Sequence, residues 1–70
     1  MDWLEPYKDI NNLKAMSVGE LNTLSWTLII IITRTKNLAL LEQAQDVLMK
    51  INVILFEYLT SKENNNAKNV

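Results

Sequence analysis

The chain has 70 residues, 49% of them hydrophobic, with seven basic and eight acidic side chains, no histidine and no cysteine. These figures exclude a disulfide-stapled scaffold, argue against a zinc-stabilised one, and remove the commonest nucleophile and acid–base side chains from consideration. A single glycine and a single proline point to packed helices instead of a sheet with turns or a disordered chain. A domain of about 60 residues buries only about 60% of its unfolded surface, so without disulfide or metal the remaining source of stability is a second chain.

Residues 1–16 form an N-terminal segment with a short helix. Trp3, Leu4, Tyr7, Ile10, Leu13 and Met16 recur at helical spacing, while Pro6 and the pair Asn11 and Asn12 interrupt them. Pro6 suits a first turn, which predicts one or two short turns of helix from near Glu5 to near Asn11, laid across the rest of the molecule as a lid.

Residues 17–61 read as a helical hairpin. Ser17 followed by Glu20 fits a capping box, which starts a helix spanning about 18–34 with Leu21, Leu24, Leu28 and Ile31 on one seam. Residues 25–35 also carry the Trp, Thr and Ile content of a strand. The preceding cap, and the lack of a second strand to pair with, favour helix. Thr33 to Asn37 is the polar break, with Arg34 and Lys36 suited to the negative end of the helix dipole and Thr35 or Asn37 available to cap the next helix.

The second long helix, about 38–61, carries the strongest signal. Heptad spacing aligns Leu41, Leu48 and Leu55 in one row, Ala44, Ile51 and Tyr58 in a second, and Leu40, Val47 and Ile54 in a third. Such a broad stripe exceeds what one partner helix covers. The fold expected is therefore all-α: a hairpin with a short N-terminal helical segment, dimerising into a four-helix bundle. Its dimer interface is expected at Leu40, Leu41, Val47, Leu48, Ile51, Ile54, Leu55 and Tyr58. Residues 62–70 are polar and asparagine-rich and read as a disordered tail.

Chemistry is sparse. Glu42 and Asp46 stand one turn apart, but paired carboxylates on the wet strip of a helix ordinarily serve solubility, and no histidine completes a site. No catalytic, cofactor-binding or metal residue is assigned, and the chain is not expected to be an enzyme. Trp26, Ile29 and Ile30 lie opposite the leucine seam, either covered by Trp3, Leu4 and Tyr7 or presented to another chain, so Trp3, Trp26, Ile29 and Ile30 form a candidate partner face. Met49 and Phe56 pose the same question on the second helix.

The function expected is a small non-enzymatic adaptor, regulator or inhibitor that pairs with itself and with a second, unidentified protein. Three other readings compete. A nucleic-acid-binding bundle requires Lys14, Arg34, Lys36 and Lys50 to converge on one face, against a net charge of −1. An obligate heteromeric subunit would spend the same apolar surface on a different chain. A membrane-associated amphipathic protein is disfavoured by the absence of a Lys/Arg-rich polar face and by a longest charge-free run of about 13 residues, against about 20 for a span. The acidic N-terminal residues lack the opening of a signal peptide, so a cytoplasmic location is expected.

Overall fold

The computed structural model describes residues 3–68, with side chains described from Trp3 to Ser61. In chain order it contains a 3-10 turn, Glu5–Lys8, followed by helices α1 (Ile10–Lys14), α2 (Val18–Arg34) and α3 (Leu38–Lys68). There is no strand among the described residues.

The N-terminal segment is two short pieces, in keeping with the one or two short turns of helix expected there, though they break at Asp9 and not at Asn11 and Asn12. Asp9 adopts an extended conformation and its carboxylate accepts the Asn11 N–H at 2.9 Å, which ends the 3-10 turn and caps α1. Asn11 and Asn12 consequently lie inside α1. The Asn12 side chain reaches back to donate to the Pro6 carbonyl at 2.7 Å, tying the two pieces together.

The helix α2 begins on the expected capping box. The Glu20 N–H donates to the Ser17 hydroxyl at 3.1 Å, and the Ser17 N–H donates to the Glu20 carboxylate at 3.2 Å. Its strand-like composition is reconciled with a helix by its hydroxyls. Thr23, Ser25, Thr27 and Thr33 each donate to a carbonyl one turn back, so no buried hydroxyl is left unpaired. At its end Thr35 becomes extended and its hydroxyl accepts the Asn37 N–H at 3.1 Å. The Asn37 side chain then accepts from Ala39 and Leu40 at 3.0 and 3.2 Å, starting α3.

The third helix, α3, is longer than expected. It runs 31 residues to Lys68, so residues 62–68, expected as a disordered tail, continue the helix; Asn69 and Val70 lie outside the described residues. Neither glycine nor proline occurs there to stop it, and Lys, Glu and Ala favour helix enough to carry three asparagines, each of which costs only about 0.5 kcal/mol.

The core lies between the two long helices. Leu21, Leu24 and Leu28 of α2 pack against Ala44, Val47 and Ile51 of α3, and Leu4 and Leu13 close one side. Both N-terminal leucines are fully buried, which contributes about 2 kcal/mol each from removal of apolar surface alone. The 3-10 turn and α1 both dock on α3, as the expected lid. Lys50 fastens it: its ammonium donates to the Lys8 carbonyl at 3.0 Å, 42 residues away, and pairs with Asp46 at 2.9 Å.

Candidate functional site

Helical geometry assigns the remaining surface. Each residue advances about 100° round its helix, so the residues either side of the α2–α3 contact fall into two flanks. One flank carries Glu20, Thr23 and Thr27 on α2 and Gln43, Asp46 and Lys50 on α3. The opposite flank carries Val18, Ser25, Ile29 and Ile32 on α2 and Leu41, Leu48 and Leu55 on α3. The N-terminal segment lies on the first, where Trp3 and Tyr7 share a groove of about 660 Å³ with Glu20, Thr23 and Thr27, and Lys50 holds Lys8. The lid therefore covers the polar flank and leaves the apolar one open. Burial does not simply divide the flanks: on the lid side Gln43 and Lys50 are half-buried while Glu20, Thr23, Thr27 and Asp46 are exposed, and on the other side Val18 and Ile29 are exposed while Leu41, Leu48 and Leu55 are half-buried.

This arrangement divides the residues expected at the dimer interface. Val47 and Ile51 are fully buried inside the chain and cannot reach a second copy, a correction that arises because their rows face α2 directly. Leu40, Leu48, Ile54 and Leu55 are half-buried against the core, and Leu41 is half-buried as well. Tyr58 points along the core side of α3 but is 53% exposed, since α2 begins at Val18 and leaves that end of α3 covered only in part.

The candidate partner face divides too. Trp26, Ile29 and Ile30 are exposed, so the N-terminal segment does not cover them. Trp3 instead meets Tyr7 edge-on, with ring centroids 6.2 Å apart, beside Thr23 and Thr27. Ile29 is turned by about 60° from Trp26 toward the open flank. Trp26 at 62% exposure, with Ile30, occupies the outer back of α2, and Met49 at 66% and Phe56 at 70% occupy the outer back of α3.

Four of the polar side chains lining the groove are engaged locally. The Glu20 carboxylate and Ser17 hydroxyl serve the helix cap, and the Thr23 and Thr27 hydroxyls serve helix carbonyls. Among the described residues no three acidic, histidine or cysteine side chains gather as a metal site, and no helix is long and apolar enough to cross a membrane. The basic side chains are dispersed: Lys14 borders Tyr58 at the open end of the hairpin, Arg34 and Lys36 flank the turn about 25 Å away, and Lys50 is held by Asp46. Within one chain they do not converge.

Comparison with protein-family models, with curated proteins and with solved structures finds no match to this chain.

Sequence reasoning missed the structural part played by Lys50, which it considered among the basic side chains of a nucleic-acid face. Its partner is a backbone carbonyl, and carbonyls leave no mark in the side-chain pattern. It also missed that the open flank draws on both helices, because periodicity within one helix does not say which side a distant segment covers.

Proposed function

We propose that the protein is a non-enzymatic interaction module that works as a homodimer, two hairpins pairing as a four-helix bundle in the cytoplasm. The observation that supports this reading most directly is surplus apolar surface. After every described element has packed, twelve large hydrophobic side chains remain more than a third exposed, among them Trp26, Ile30, Met49 and Phe56. A chain of 70 residues with no cysteine has little other means of removing that surface from water.

The outer residues Trp26 and Phe56 then remain available to a second protein. Aromatic side chains of this kind commonly anchor interfaces, which favours an adaptor or inhibitor over a purely structural dimer. Sedimentation equilibrium at tens of micromolar tests the reading: it expects twice the 8.1 kDa chain mass. A well-folded 8.1 kDa species at that concentration overturns it.

A further inference from the structure

The geometry points to the open flank, centred on Ile29 and Ile32 of α2 and Leu41, Leu48 and Leu55 of α3, as the surface that receives a second copy of this chain. The inference rests on the dimer reading and adds which face is used.

Three observations select it. The first is position: the opposite flank is already occupied by the N-terminal segment, through Leu4, Leu13 and the bond from Lys50 to Lys8, so one broad side of the hairpin remains. The second is charge. Among the described residues the polar side chains on the open flank are Asn22, Ser25, Gln45 and Asn52, all uncharged, and the Ser25 hydroxyl is spent on the Leu21 carbonyl at 2.9 Å. A two-fold axis sets identical residues against one another, and a neutral face suffers no like-charge repulsion when it meets itself. A face shaped for a foreign partner commonly carries rim charges that steer and discriminate; among the described residues the charge bordering this one is Lys14, at the end where Val18, Leu55 and Tyr58 meet.

The third is area. Two helices about 10 Å apart, sharing about 25 Å of length, offer about 500 Å² per protomer. Two such faces bury about 1,000 Å² together, which reaches about the lower bound for a biological interface. The overhanging part of α3, with Leu59 on the same side, adds to that. The outer backs carrying Trp26 and Phe56 are single-helix strips and are narrower.

Because the chain contains no cysteine, single cysteines report on each face separately. Four variants form two adjacent pairs: Ile29→Cys and Asn52→Cys on the open flank, Ile30→Cys and Val53→Cys on the outer backs. All four positions are exposed within one chain. Iodoacetamide alkylation is followed across protein concentration, with sedimentation and circular dichroism on each variant. When nine-tenths of the chain is paired, alkylation at positions 29 and 52 should slow about tenfold while positions 30 and 53 keep their dilute rate. Protection at 30 and 53 but not at 29 and 52, in a chain that sediments as a dimer, overturns the face and leaves the dimer standing. Equal behaviour at all four positions in a dimer overturns the face as well. A monomer at every concentration overturns both. Asn52→Cys removes no packed apolar group, so it still reports if Ile29→Cys weakens association.

Discussion

Met49 and Ile51 are two residues apart, equally apolar, and opposite in circumstance: Ile51 is sealed against the leucines of α2, and Met49 stands in solvent. Replacing Ile51 by alanine should cost about 2–5 kcal/mol, since a fully buried side chain leaves a cavity. Met49→Ala should stay within about 0.5 kcal/mol, because it removes little buried surface. Urea unfolding at fixed protein concentration measures both, and comparable losses would mean that Met49 is buried in solution. The capping box at Ser17 and Glu20 and the seam of Leu21, Leu24 and Leu28 were legible because each is a local pattern with one structural meaning. The division of α3 was not, since Leu41, Val47, Leu48 and Ile51 are interchangeable in hydrophobicity. Only the position of α2 and of the N-terminal segment separates Val47 and Ile51, which are sealed, from Leu41 and Leu48, which stay partly open.

At the level of elements, the hairpin and its two long helices follow from the sequence almost to the residue, and the ends do not. The split at Asp9 depends on a side chain that prefers to cap, and the seven extra residues of α3, 62–68, depend on the absence of a stop signal, which composition understates. The attachment of the lid turns on Lys50. Lys50→Met keeps the aliphatic stem and removes the donor, so the segment from Glu5 to Lys14 should loosen by about 1 kcal/mol, discounted for the partial exposure of the ammonium. Native-state hydrogen exchange should show faster exchange in that segment with α2 unchanged. Uniform acceleration throughout would show that the lid and hairpin open as one unit.

For the whole molecule, the elongated shape, 50 × 22 × 16 Å, sets a broad neutral side against a capped polar one. The association proposed for the neutral side would be driven by apolar burial and not by charge. The dimer dissociation constant should therefore change by less than about threefold between about 0.05 and about 0.5 M salt, whereas a contact built on ion pairs would weaken steeply. Sedimentation across that range distinguishes them. A strong loss of dimer at high salt would bring Arg34, Lys36 or Glu42 into the contact.

The N-terminal segment has a bearing on how assembly stops. With its lid in place, each hairpin offers one broad sticky side, and in the proposed dimer two copies would close on themselves. With the lid undocked, the seats of Leu4 and Leu13 open on the other side, and a hairpin with two sticky sides has no reason to stop at two. The lid makes most of its fold-stabilising contacts with α3 through short elements, so it should detach before the hairpin melts. In urea just below the main transition, light scattering should therefore rise with time in the 70-residue chain, and fall again once the hairpin itself unfolds; a flat signal would show that lid and hairpin unfold together. On the proposed dimer, a segment of a few turns would then act as a terminator of polymerisation.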